Sequence, residues 1–147
     1  MSQIVVRPLD PRIEGEEPYV LATSVDAIVA THGGRSARRD MFRELVVSTV
    51  MRSNVEIAHF DDDAEVIWGF AAWSPDRVLE LFYLRQRMLE RDPGTGYSKP
   101  KELAFDVTRA MLGENRVVRM RRLPLQHWVF GVVHQAGYHP SIMPENL

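Results

Sequence analysis

The chain contains no cysteine. That excludes disulfides, thiolate catalysis and cysteine-ligated zinc, and it suits a reducing compartment. It also lacks an excess of basic charge. Eighteen Lys and Arg against 20 Asp and Glu give a formal net charge of −2. Duplex binders usually carry a basic excess or stripe, so nucleic acid is not the expected partner. No apolar run approaches the roughly 20 residues that cross a bilayer. The opening Met1-Ser2-Gln3-Ile4 has no basic region followed by an apolar one, so no signal peptide is read there. A cytoplasmic protein without a membrane partner is the expectation. Repeats, low-complexity tracts and linkers are also lacking, so residues 1–147 are read as a single domain.

What is present is ordinary globular material. Hydrophobic residues make up 45% and charged residues 26% of the 147 positions. A chain of this length buries about two thirds of its unfolded surface, enough for one core.

Ile4-Val5-Val6 is a β-branched run ended by Pro8, which reads as a first strand. Glu16 to Thr31 reads as a helix, with Pro18 in its first turn and Val20, Leu21, Val25, Ile28 and Val29 near one face. Gly33-Gly34 stops it. Ser36 caps a second helix, in which Phe42, Leu45, Val46, Thr49 and Val50 form the clearest amphipathic stripe. The period then changes. Val55 to Phe60 and Glu65 to Trp73 read as two strands joined by the acidic turn Asp61-Asp62-Asp63-Ala64. After the turn Ser74-Pro75-Asp76, Val78 to Leu84 is nearly all apolar, as expected of a buried central strand. Ser98 caps a third helix that stops before Gly113, with Leu103, Val107, Ala110 and Met111 on one face. Val117-Val118 begins a short strand. Leu125 to Ala136 is a last helix closed by Gly137, and a short strand follows Tyr138. The expected fold is therefore α/β, a central and mostly antiparallel mixed sheet flanked by about four helices.

Three segments carry a family likeness. They are Val66-Ile67-Trp68-Gly69-Phe70-Ala71-Ala72-Trp73, Val78-Leu79-Glu80-Leu81-Phe82-Tyr83-Leu84, and Val129-Phe130-Gly131-Val132-Val133-His134-Gln135-Ala136-Gly137-Tyr138. With the element order, they make the chain resemble the GNAT (GCN5-related N-acetyltransferase) family over roughly residues 3–140. The resemblance implies acetyl-CoA as the cofactor. It implies a bulge at the end of the fourth strand, where the backbone of Phe82, Tyr83 and Leu84 would hold the pantetheine arm. It also implies a pyrophosphate loop at Arg91-Asp92-Pro93-Gly94-Thr95-Gly96, with Arg91, Gly94, Thr95 and Gly96 as the binding residues. The loop departs from the family's pattern. It lies further from Tyr83, Pro93 removes one N–H donor, and Asp92 puts negative charge near the phosphates.

The family's acid is usually a Tyr four residues before the closing glycine. Here that position is Val133. His134 is adjacent but points about 100° away around the helix. His134 is carried as the candidate acid and Glu80 as the candidate base; Glu80 also reads as an outward-facing strand residue paired with an Arg.

The remaining constellations are weaker. Asp61-Asp62-Asp63 suits a hard cation or a solvated turn. His32, His59, His127, His134 and His139 are scattered. His127 and His134 stand about 10 Å apart along a helix, so no metal site is expected. Arg116, Arg119, Arg121 and Arg122 could meet CoA phosphates or an acidic partner, or guard an edge strand.

Two main functional readings follow, beside a weaker one of a small ligand-binding sensor that uses the same cleft for another nucleotide. One is an acyl-CoA-dependent N-acyltransferase acting on a small amine or a protein amine. The other is an inactive GNAT-fold protein serving as a structural or interaction component with an assembly partner. The short form and altered loop resemble GNAT-like proteins of bacteriophages, some of them virion-associated.

Overall fold

The computed structural model describes residues 3–32, 36–86, 102–121 and 127–143. It holds β1 (Ile4–Pro8), α1 (Glu16–His32), α2 (Ser36–Arg52), β2 (Asn54–Phe60), β3 (Gly69–Trp73) and β4 (Leu79–Leu84). Then come α3 (Glu102–Leu112), β5 (Val117–Met120), α4 (His127–Gln135) and β6 (His139–Ile142). The element order is the one the sequence implied. The strands lie in chain order across one six-stranded sheet. β1 to β4 run antiparallel; β4, β5 and β6 run parallel to their neighbours. The fold is thus a mixed α/β layer structure with four helices, as expected.

The sheet divides the core in two. On one face Val20, Val25 and Ile28 of α1 and Phe42, Val46 and Val50 of α2 pack on Val55, Ile57, Phe70, Ala72 and Leu81. On the other, α3 and α4 bring Leu103, Val107, Met111, Val129, Val132 and Val133 onto Ala58, Ala71, Trp73, Phe82, Leu84 and Met120. A strand covered on both faces needs apolar residues at every position, which is why β3 is buried throughout. Such burial is worth about 25 cal/mol per Å2 of apolar surface and drives the layering.

Pro8 ends β1 as read, opposite Glu56, a place an edge strand allows a residue without an N–H; other readings change. Glu65 to Trp68 is not strand, because Phe60 bridges Asp63 and the chain turns through Val66 before pairing resumes. On α2 Leu45 is exposed, and on α3 Ala110 is exposed while Ala104 is buried. In each case the packed face is turned by about one residue from the stripe read along the sequence. The last helix begins at His127 among the described residues, and Gly33, Gly34 and Ser98 lie outside them. Gly137 closes α4 at φ 98°, a conformation that costs a Cβ-bearing residue dearly.

Candidate functional site

β4 pairs with β3 along its length but meets β5 at one register pair, Leu79 with Met120. β5 ends there, so the five residues Glu80–Leu84 run about 16 Å past its last residue. The two parallel strands meet at the start of β4, and no further register pair follows among the described residues. Arg121 N–H donates to the Leu79 carbonyl at 3.0 Å and marks the vertex.

The bulge expected at the end of β4 lies at its start instead. Trp73 pairs with Leu79 and Ala72 with Leu81, so Glu80 is skipped. That extra residue sends Leu79 and Leu81, which alternation would put on one face, into opposite core layers. Glu80 is buried and its Oε2 lies 3.4 Å from Nε of Arg121. The Arg pairing read for Glu80 is present, but the side chain is buried rather than facing outward. The ion pair spans β4 and the end of β5 at the vertex.

Past the bulge, Phe82 and Leu84 face the α3/α4 layer and are fully buried, whereas Tyr83 faces α1 and is half-buried. Tyr83 stacks on Phe70 with ring centroids 4.9 Å apart. Burial, with a hydrogen bond to Tyr19, pushes the Tyr83 phenol up to about 12. Tyr83 and Tyr19 thus meet through their hydroxyls. Arg85 Nη2 donates to the same Tyr19 oxygen at 3.1 Å, and its Nε donates to the Ile67 carbonyl at 2.8 Å. The guanidinium lies over the rings of Tyr19 and Trp68, at 5.9 and 5.7 Å.

A second polar chain lies beside it. Arg7 Nη2 donates to Glu16 Oε1 at 2.6 Å, and Asp10 N–H donates to Glu16 Oε2 at 3.0 Å. Arg7 Nε donates to His59 Nε2 at 3.1 Å. His59 Nδ1 is 2.6 Å from the Phe60 carbonyl, which can only accept, so Nδ1 carries the ring proton and Nε2 is free to accept from Arg7. β1, β2 and the first turn of α1 are joined by these bonds. Between this chain and Arg85 opens a cavity of about 490 Å3.

The sequence-derived sites fare unevenly. Arg91, Gly94, Thr95 and Gly96 lie outside the described residues. His134 is exposed on α4, its ring edge-on to Phe130 at 4.9 Å, while Val133 beside it is fully buried. The arginines of β5 are engaged locally. Arg119 donates to the Asp76 carbonyl, and Arg116 donates to the Ala136 carbonyl and lies 4.8 Å from the Tyr138 ring centroid. Asp61, Asp62 and Asp63 sit exposed in their turn. Among the described residues no group of three or more His, Asp or Glu could hold a metal ion, and no helix is long and apolar enough to cross a membrane. Tyr19, Arg7 and Glu16 were not singled out from sequence; only the placement of Tyr19 and Glu16 at the start of a helix hinted at them.

No protein-family model matches the chain, and no curated protein matches it. Among solved structures it is similar to one described as a GCN5-related N-acetyltransferase, "Aminotransferase, Class-II", from Rhodopseudomonas palustris, at 18% identity and a TM-score of 0.43. The match covers 65% of this chain and 61% of that one, so the chain spans about three fifths of its length.

Proposed function

We propose that the chain binds an acyl-CoA where β4 parts from β5 and transfers the acyl group to an amine. The observation that carries this reading is the single register pair between β4 and β5, beyond which β4 runs on past the end of its neighbour. A gap between strands suits a thin, extended pantetheine arm, which needs backbone partners rather than a deep pocket. Bound there, an acyl-CoA supplies an acyl group activated as a thioester. The backbone of Phe82, Tyr83 and Leu84 would hold the arm, and Arg91, Gly94, Thr95 and Gly96 the pyrophosphate.

The chain's own side chains take other roles. The Glu80 carboxylate is engaged by the Arg121 guanidinium. Its place is to fix β5 against β4 at the vertex. Tyr83 keeps its proton through the physiological range, so its hydroxyl acts there as a donor. His134 on the solvent face of α4 has no described partner that would orient it as an acid except the Phe130 ring.

Isothermal titration of acetyl-CoA and free CoA tests the reading, with Gly94→Asp/Gly96→Asp as the control. Micromolar binding that the variant loses is expected. No binding at millimolar CoA overturns it. A second reading, an inactive component of an assembly, is favoured by buried Val133 at the family's acid position and by Met41 and Leu45 exposed on α2. That absence of binding would turn attention to it.

A further inference from the structure

We propose that the cavity between the start of α1 and the end of β4 binds a free amino acid, with its ammonium at Glu14 and Glu65 and its carboxylate at Tyr19 and Arg85. The binding stands on the cavity alone; a role for that amino acid as acyl acceptor rests on the acyltransferase reading.

The argument is a sorting of committed and uncommitted groups. The cavity is lined by Ile13, Glu14, Tyr19, Glu65, Ile67 and Arg85, with Arg7 and Glu16 behind them. Its volume of about 490 Å3 falls within the roughly 300–1,000 Å3 of small-molecule sites. Arg7 and Glu16 are used up on one another, on His59 and on backbone groups. Glu14 and Glu65 are exposed at the rim, and neither forms an ion pair among the described residues. Two carboxylates of this kind accept an ammonium.

Tyr19 and Arg85 supply the polar groups deeper in the cavity. The Tyr19 hydroxyl accepts from Arg85 Nη2. Arg85 carries five N–H groups, of which the bonds to Ile67 and Tyr19 use two. A phenol beside a partly free guanidinium suits a carboxylate. Ile13, almost half exposed, and buried Ile67 add apolar surface for a side chain. A lining that combines carboxylate acceptors, a guanidinium donor and apolar side chains matches a zwitterion with an aliphatic side chain. A plain amine would leave the guanidinium donor unpaired, and a plain acid would leave the two carboxylates unpaired.

Titration calorimetry with L-leucine tests this in the absence of CoA, beside isoamylamine, which lacks the carboxylate, and 4-methylpentanoate, which lacks the amine. Leucine should bind at least about tenfold more tightly than either, one charge-assisted interaction being worth that factor or more. Glu14→Gln/Glu65→Gln should weaken leucine and isoamylamine but not 4-methylpentanoate. Tyr19→Phe should weaken leucine and 4-methylpentanoate but not isoamylamine. The Gln pair lies on the exposed rim, so it remains informative if Tyr19→Phe disturbs α1. Leucine no tighter than both fragments, or a Gln pair that leaves isoamylamine binding unchanged, overturns the proposal. Leucine binding by a protein that does not bind CoA would keep the amino-acid site and remove only its role as acceptor.

Discussion

Arg7→Met is the most demanding test of how α1 is held to the sheet. The side chain of Glu16 is 3% exposed and that of Arg7 25%. Met fills much of the arginine's stem but leaves the Glu16 carboxylate buried with one remaining described partner, the Asp10 N–H. His59 Nε2, 6% exposed as a residue, loses its donor in the same substitution. Removing one partner of a buried pair costs about 3–5 kcal/mol. Arg7 is a quarter exposed and water can reach its place, so the lower end of that range, about 3 kcal/mol, is expected. For a chain near 150 residues, 1 kcal/mol shifts Tm by roughly 2–4 °C, so the variant should melt about 6–12 °C lower. Urea unfolding followed by the fluorescence of the buried Trp68 and Trp73 gives the free energy directly. Glu16→Gln and the double variant complete a cycle, and a coupling of about 1.5–3 kcal/mol is expected. Arg12→Met is the control, since its pair with Asp10 is largely in water and its loss should not be measurable. An Arg7→Met variant within about 0.5 kcal/mol of the parent, or a cycle that adds up without coupling, would refute the reasoning.

The other predictions concern β4. A Cβ at Gly69 would sit 2.9 Å from the Tyr83 carbonyl oxygen and 3.1 Å from Leu84 Cδ2, so Gly69→Ala should cost about 1–3 kcal/mol in urea unfolding. An unchanged midpoint would mean that β3 and β4 can move apart. Tyr83 has its phenol raised to about 12 against about 10 when unfolded. Its contribution is therefore complete below pH 10 and lost as pH rises from about 10 to about 12. Stability should fall less steeply over that window in Tyr83→Phe, and equal slopes would contradict the assignment. Glu80→Gln should raise hydrogen exchange at the Arg121 amide, which is bonded to the Leu79 carbonyl at the vertex. Unaltered exchange there would show that the ion pair does not hold β5.

Much of the fold was legible because periodicity and punctuation are local. The stripe Val20, Val25, Ile28 and the glycine stop at Gly137 follow from 3.6-residue spacing and a positive φ. The nearly continuous apolar run from Leu79 to Leu84 named a strand covered on both faces. What failed to show were features that depend on partners distant in sequence. Glu80 reads as one more strand residue until the register with β3 skips it, and only the structure brings Arg121 to it. Arg7 and His59 are 52 positions apart, and nothing near either announces the other.

The candidate site was legible in the same uneven way. Phe82, Tyr83 and Leu84 were singled out as one backbone segment, but strand alternation gives them opposite surroundings. Phe82 and Leu84 belong to the core under α3 and α4, whereas Tyr83 belongs to the polar chain under α1. That difference matters for function. A strand that parts from its neighbour offers backbone to a ligand from the gap. The same strand's alternate side chains face the other layer, where Tyr83 meets Tyr19, and Tyr19 and Arg85 border a separate cavity. Under the two proposals, β4 serves two ligands at once, one along its edge and one against its α1 face. A transferase needs such a partition, because both reactants must approach one point without competing for one volume. The bulge at Glu80 sets the arrangement. Without that extra residue, Tyr83 would turn to the α3/α4 layer, away from Tyr19 and Arg85.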